Sequence, residues 1–127
     1  MTAHYADTSA LAKLLVLEQE SAAMVAFLGA DTDLVTSEIT VTELHRLAAR
    51  LGVSSREVDA LLSGLSLVRV TGVLLRQAGF VRPPELRSLD AIHLATAAAV
   101  GLDGFLCYDT RLAAAAAASG LNVLAPT

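Results

Sequence analysis

Four acidic residues are the side chains of this sequence best placed for chemistry: Asp7, Glu43, Asp90 and Asp109. Asp7 follows the apolar segment that ends in Tyr5 and Ala6, and Asp109 follows the apolar segment 105–108. Both segments read as buried β-strands. Because the carboxyl ends of parallel strands form the edge of a sheet where ligands bind, we expect Asp7 and Asp109 to lie close together.

The other two acids belong to predicted helices. Asp90 lies in the first turn of an Ala-rich helix that opens at Ser88, where the positive end of the helix dipole favours an ionised carboxylate. Glu43 projects about 40° outside the apolar stripe of its helix, at roughly 100° per residue. A side chain at that border can reach a cleft, so all four acids are candidates for one site.

Carboxylates that converge repel one another unless a cation neutralises them. Ligation by oxygen alone suits Mg²⁺ or Mn²⁺ better than Zn²⁺. Such a site can activate water and stabilise the charge that develops on a phosphodiester, with one metal ion or with two. The acidic set therefore predicts metal-dependent phosphodiester hydrolysis.

Each acid also has a simpler interpretation when it is taken alone. Asp7 and Asp109 are favoured residues for capping the helices that follow them. Glu43 can pair with Arg46 three residues on, and Asp90 can serve only to complement the helix dipole. The hypothesis of a site depends on the set, because a shared cleft explains why two strand ends and two helices all carry acids.

Other polar residues near the four acids can support such a site. Hydroxyl groups that could orient carboxylates or metal-bound water belong to Thr8, Ser9, Ser37 and Thr110. Helix capping is the alternative for each. His93 follows Asp90 by three residues on the same helix face, where it either aids catalysis or is a buried, hydrogen-bonded core residue. Arg111 either contacts phosphate or pairs with an acid on its own helix.

The elements that must position these residues alternate between strand and helix. Predicted strands lie near 4–6, 34–36, 67–70, 105–108 and 122–124, with helices between them. This order predicts an α/β fold with three layers, α/β/α, and a mostly parallel central sheet joined by right-handed crossovers. With 127 residues, of which 54% are hydrophobic, we expect a single domain spanning 1–127.

Composition narrows the environment and the class of partner. Cys107 is the only cysteine, which excludes a disulfide framework and a multi-cysteine zinc site. With no basic leader before an apolar core and no long apolar run, the sequence predicts a soluble, cytoplasmic protein without a membrane segment. The net charge of −4 argues against a simple nucleic-acid coat. Eight of the nine basic residues are nevertheless Arg, which can bind phosphate through two nitrogens.

Four motifs, in this order and spacing, resemble those of PIN-domain proteins, especially VapC-type toxins. They are Tyr5-Ala6-Asp7-Thr8-Ser9-Ala10-Leu11, Ser37-Glu38-Ile39 leading to Thr42-Glu43-Leu44, Leu89-Asp90-Ala91-Ile92-His93-Leu94-Ala95-Thr96-Ala97, and Phe105-Leu106-Cys107-Tyr108-Asp109. Each motif alone is short, whereas together they extend over nearly the whole chain.

The resemblance implies a ribonuclease whose acidic site takes Mg²⁺ or Mn²⁺. The family's acidic positions fall on Asp7, Glu43, Asp90 and Asp109, with Asp7 and Asp90 as the principal metal ligands. The resemblance further implies the toxin half of a type II toxin–antitoxin pair. Its expected partners are an RNA substrate, a VapB-type antitoxin that occupies the cleft, and a second copy of the chain in a homodimer.

The sequence departs from the family pattern at two places. Cys107 stands where the family often has Thr or Ser, and segment 112–116 lacks the further acid that is sometimes seen there. The alternative function from another class is a PIN-like scaffold that binds RNA or protein without cleavage. Two other enzyme classes are disfavoured. A dehalogenase-type phosphotransferase needs a second Asp at the position where Ser9 stands, and a receiver domain needs a lysine late in the chain, whereas the only lysine here is Lys13.

Overall fold

Strands and helices alternate along the chain in a computed structural model that describes residues 2–127. The elements, in order, are β1 (Thr2–Ala6), α1 (Thr8–Leu15), α2 (Ser21–Phe27), β2 (Thr32–Ser37), α3 (Ile39–Leu51), α4 (Ser55–Ser63), β3 (Ser66–Val68), α5 (Gly72–Ala78), α6 (Ser88–Val100), β4 (Gly104–Leu106), α7 (Thr110–Ala118) and β5 (Val123–Leu124).

The five strands form one sheet in the order β3-β2-β1-β4-β5, and every neighbouring pair is parallel. The α/β prediction is confirmed, and the sheet is fully rather than mostly parallel. β1 lies at the centre, with His4 opposite Leu34 of β2 and Tyr5 opposite Phe105 of β4. The carboxyl ends of β1 and β4 are therefore neighbours, which places the segments bearing Asp7 and Asp109 side by side.

Helices pack on both faces of the sheet because successive strand residues point to opposite sides. Ala6 of β1 belongs to a buried cluster with α1, α2, α3 and α4, whose members include Leu11 and Leu44. Tyr5 belongs to a second cluster with α6 and α7, whose members include Leu94. These two cores create the three predicted layers.

Helix boundaries follow from local chemistry. Asp7 and Asp109 accept hydrogen bonds from the first turns of α1 and α7, so both predicted caps are present. α3 ends at Gly52 with φ 73° and α6 ends at Gly101 with φ 61°, a left-handed conformation that glycine adopts without a steric penalty. Within residues 2–127, no helix combines the length and apolarity needed to span a bilayer.

Two predicted strands end earlier than expected. The strand predicted at 67–70 ends at Val68, and the amide of Val70 donates to the Glu38 carboxylate at 2.7 Å instead. The strand predicted at 105–108 ends at Leu106, since the amide of Tyr108 donates to a side chain on α1. In both cases a tertiary contact takes the amide that a longer strand would have used.

We predict that the Leu11→Ala variant is strongly destabilised. Leu11 is completely buried in the first core, and removal of a buried Leu side chain costs about 2–5 kcal/mol of unfolding free energy. Leu17→Ala is the matched control, because Leu17 is 91% exposed and should change stability by less than about 0.5 kcal/mol. Urea unfolding measures both, and equal stability of the two variants would contradict this assignment of the core.

Candidate active site

The four predicted acids line a single pocket of about 560 Å³ at the carboxyl edge of the sheet. Asp7 comes from the end of β1 and Asp109 from the segment after β4, while Glu43 projects from α3 and Asp90 from α6. The pocket also contains Thr8, Ser9, His93, Lys13, Arg46, Arg50 and Arg87. Two strand ends and two helices therefore contribute acids to one cavity.

Asp7 serves both as a helix cap and as a wall of this pocket. Its side chain caps α1 by accepting from the amide of Ala10 at 3.0 Å. The hydroxyl of Ser9 donates to the two carboxylate oxygens at 2.7 and 2.9 Å. Burial raises the pKa of Asp7, which is only 3% exposed, and the hydrogen bonds from Ser9 and Ala10 offset that effect in part. The predicted cap is therefore present, and the same side chain lines the pocket.

Ser9 also holds the segment that carries Asp109. Its hydroxyl oxygen accepts from the amide of Tyr108 at 2.9 Å and from the amide of Asp109 at 3.3 Å. Asp109 in turn caps α7 by accepting from the amide of Leu112 at 3.0 Å. A single hydroxyl therefore fixes the spacing between the Asp7 and Asp109 segments.

Cys107 supplies the donor that the expected Thr or Ser would have provided. Its thiol donates to Oδ2 of Asp7 at 3.3 Å and to the carbonyl of Asp109 at 3.4 Å. Burial raises the pKa of Cys107, and the neighbouring Asp7 charge raises it further. The side chain therefore remains a neutral thiol that donates to Asp7.

Glu43 is held by a chain of hydrogen bonds that begins in the core. Tyr5 Oη lies 2.7 Å from His93 Nδ1, and His93 Nε2 lies 2.7 Å from Glu43 Oε1. The hydroxyl of Thr8 donates to the same Glu43 oxygen at 2.7 Å. Because a carboxylate only accepts, Nε2 carries a proton, and in the neutral imidazole Nδ1 then accepts from the Tyr5 hydroxyl.

This chain controls the charge of Glu43. Burial opposes its ionisation, but the hydrogen bonds from His93 and Thr8 hold the pKa of Glu43 below its ordinary value. His93 is 1% exposed, so it is both a buried core residue and a supporting residue of the site. The alternative pairing of Glu43 with Arg46 does not form within residues 2–127.

Arg87 is a member of the site that the sequence analysis missed. Its Nε donates to Asp90 at 3.0 Å, and its Nη2 donates to Asp109 at 3.4 Å. One guanidinium thus links two of the four acids, although the Arg87 side chain is 74% exposed. The signal available in the sequence was the position of Arg87, three residues before Asp90 and immediately before the helix.

Within residues 2–127, three other residues that were predicted to support the site do not contact the four acids. Thr110 and Arg111 are exposed at the start of α7, in a shallow hollow beside Asp109. The Ser37 hydroxyl accepts from the amide of Ile39 at 3.3 Å, at the start of α3. Ser37 therefore contacts the first amide of α3 from one position before the N-cap, which is Glu38 and forms no side-chain cap.

The donor set of the pocket suits a hard divalent cation, because it consists of carboxylate oxygens. Within the described residues, however, no three His, Cys, Asp or Glu side chains are arranged as a ready metal cage. The Arg87 guanidinium supplies the positive charge between Asp90 and Asp109. A cation that used both carboxylates would have to displace this side chain.

We predict that Asp7→Asn stabilises the fold at neutral pH. Because the pKa of Asp7 is higher in the folded protein than in the unfolded chain, its ionisation opposes folding. Stability is lost as pH rises from the ordinary aspartate pKa through the raised one. The variant keeps an oxygen acceptor for Ser9 and Ala10 but has no charge, so it should exceed the parent in unfolding free energy at pH 7 and match it at acid pH.

Urea unfolding in chelator between pH 3 and pH 8 measures this difference. The control is Asp31→Asn, which removes an equal charge from an exposed turn and should leave the pH profile unchanged. A parent that is as stable as Asp7→Asn at pH 7 would contradict the prediction.

The chain is similar to known proteins over its whole length. Residues 5–118 match the PIN domain family. Ribonuclease VapC46 of Mycobacterium tuberculosis is 43% identical over 130 residues, covering 100% of both chains. The crystal structure of M. tuberculosis VapC20, a sarcin-ricin loop cleaving toxin, superposes with a TM-score of 0.77 at 21% identity, covering 97% of this chain and 99% of that one.

A toxin–antitoxin complex from Klebsiella pneumoniae has a TM-score of 0.73 at 22% identity, covering 98% of each chain. At 21% and 22% identity, these two structures support the fold alone. The match to the PIN domain family and the 43% identical relative show that the sequence itself is related. The resemblance seen in the four motifs is therefore confirmed, and the chain belongs to the PIN-domain family, within its VapC group.

Proposed function

We propose that this protein is a metal-dependent endoribonuclease that acts as the toxin of a type II toxin–antitoxin pair. The observation that carries the proposal is the convergence of Asp7, Glu43, Asp90 and Asp109 on one pocket. Membership of the VapC group supports the same conclusion, since the 43% identical relative is named a ribonuclease. The substrate class is RNA, and the bond that is broken is a phosphodiester.

Mg²⁺ or Mn²⁺, held by Asp7 and Asp90 with Glu43 and Asp109 nearby, would supply water activation and neutralise charge on the phosphodiester. The chain's own residues prepare the site for this chemistry. His93 and Thr8 keep the Glu43 carboxylate ionised and fixed in direction. Ser9 and Cys107 hold Asp7 with both oxygens at defined positions.

The partners in this proposal are a VapB-type antitoxin and a second copy of the chain. Support for the antitoxin comes from the similarity to the toxin–antitoxin complex of K. pneumoniae. Support for a homodimer comes from large exposed apolar side chains on and around α5 and the start of α6, including Val73, Phe80 and Leu89. The single buried thiol, Cys107, is compatible with the reducing cytoplasm, where we place the protein.

One observation favours the alternative of a scaffold that binds RNA or protein without cleavage. Arg87 already neutralises Asp90 and Asp109, and a permanently closed ion pair would leave no place for a metal ion. The nuclease proposal therefore requires that Arg87 be displaced, which its high exposure permits.

The nuclease proposal is tested by incubating antitoxin-free protein with total RNA in Mg²⁺, in Mn²⁺ and in chelator. We expect discrete, metal-dependent cleavage that Asp7→Asn and Asp90→Asn abolish and that the control Asp31→Asn retains. Removing a residue that touches a catalytic metal lowers turnover by about 10²-fold or more. Equal cleavage by all four proteins would indicate a contaminant, and binding without cleavage in either metal would support the scaffold.

We predict that Arg87→Gln binds Mn²⁺ more tightly than the parent does. Removal of the guanidinium frees Asp90 and Asp109, and two exposed ion pairs correspond to roughly a two- to tenfold change in affinity. Calorimetric titration with Mn²⁺ in the absence of RNA measures it. Arg111→Gln is the control, because it removes the same charge nearby but breaks no ion pair. If both variants gain equally, general electrostatics explains the effect and Arg87 does not compete with the metal.

A further inference from the structure

A second hollow lies along α3, next to the acidic pocket. This hollow has a volume of about 530 Å³ and is lined by Val41, Thr42, His45, Arg46, Ala49 and Arg50. Arg46 and Arg50 also line the acidic pocket. The two cavities therefore share these two side chains as their common rim.

Of the four Lys and Arg side chains that line the acidic pocket, two are paired with acids and two are not. Lys13, on the same pocket, is bound to Glu20 at 2.7 Å, and Arg87 is bound to Asp90 and Asp109. By contrast, no acidic side chain in residues 2–127 lies within ion-pair distance of Arg46 or Arg50. Both guanidinium groups are exposed and free to bind an external anion.

The spacing of the two arginines suits a ligand with repeated charges. Residues four apart lie on one face of a helix, separated by a rise of about 6 Å. Each guanidinium can bind a phosphate through two nitrogens. Thr42 adds a hydroxyl group to the same hollow, while His45 Nε2 lies 3.0 Å from Asp59 Oδ1 and is already occupied. The arrangement can hold successive phosphates of a strand.

A further free cation lies beside Asp109. Arg111 lines the shallow hollow next to Asp109 together with Thr110 and Tyr108, and no acidic side chain of the described residues is within ion-pair distance of it. Free positive charge thus lies beside α3 and beside α7, and the four carboxylates lie between.

We propose that one RNA strand crosses the acidic centre with its phosphates held by Arg46 and Arg50 in the α3 hollow and by Arg111 beside α7. This inference rests on the proposed nuclease function and assigns the substrate contacts of that site. A long, flexible polyanion fits because Arg46 and Arg50 line both cavities, so that a strand bound to them extends into the acidic pocket. An unpaired strand is the form of RNA that proteins most often recognise.

The test measures binding without cleavage. A fluorescein-labelled twelve-nucleotide oligouridine is titrated with protein in chelator, and anisotropy is followed over a series of salt concentrations. For Arg46→Gln/Arg50→Gln we expect a Kd at least tenfold higher. The salt slope is the slope of the logarithm of the binding constant against the logarithm of the salt concentration. Each lost phosphate contact reduces its magnitude by about 0.7, so the slope of the double variant should be smaller by about 1.4. Arg111→Gln should lose roughly half as much slope.

The matched control is Arg56→Gln/Arg69→Gln. It removes the same two charges from exposed positions on α4 and after β3, so its slope should stay that of the parent. Equal Kd and slope for the two double variants would overturn the proposal. So would a twelve-residue polyglutamate that binds more tightly than the RNA and depends on Arg46 and Arg50, because the rim would then be a site for an acidic protein segment.

Cleavage of total RNA by the same variants separates this inference from the nuclease proposal. If the parent cleaves and Arg46→Gln/Arg50→Gln binds and cleaves as the parent does, the strand path is wrong and the nuclease stands. If the parent does not cleave but the double variant loses oligouridine binding, the path stands and the nuclease proposal fails.

Discussion

The site depends on the hydrogen bonds that the hydroxyl of Ser9 forms. This hydroxyl donates to Asp7 at the end of β1 and accepts from the amide of Tyr108 after β4, so it joins the ends of two adjacent parallel strands. The Asp7 carboxylate that Ser9 holds caps α1, and Asp109, whose amide donates to the same hydroxyl, caps α7. The Ser9 side chain thereby fixes the spacing between the two segments that carry Asp7 and Asp109.

This arrangement places a charged group where the fold would prefer a neutral one. Asp7 is buried, and its donors Ser9, Ala10 and Cys107 reduce the cost of the charge without removing it. Active sites often carry such perturbed acids, because a carboxylate poorly satisfied by the protein is well placed to receive a cation. Arg87 supplies a positive charge to two other acids of the pocket, Asp90 and Asp109, and does not contact Asp7.

The fold and the four acids could be predicted because both depend on local signals: alternating strand and helix patterns, and acids that immediately follow strands or begin helices. Contacts distant in sequence could not. The strand predicted at 105–108 is short because Ser9, 99 residues from Tyr108, takes an amide. Glu43 does not pair with Arg46 because His93 and Thr8 reach its carboxylate first. Arg87 was missed since an exposed arginine before a helix looks like an ordinary surface residue. Whether the acids bind a metal ion stays a prediction.

The chain of hydrogen bonds from Tyr5 to Glu43 connects a residue of the core to the candidate active site. Tyr5 stacks on Phe105 inside the sheet, so a phenylalanine there would preserve packing while removing the hydroxyl that His93 contacts. In a mutational library scored once for abundance and once for toxicity, Tyr5→Phe would therefore be tolerated better in the abundance score than in the toxicity score. A position that hydropathy assigns wholly to the interior is thus also connected, through two hydrogen bonds, to an acid of the candidate active site.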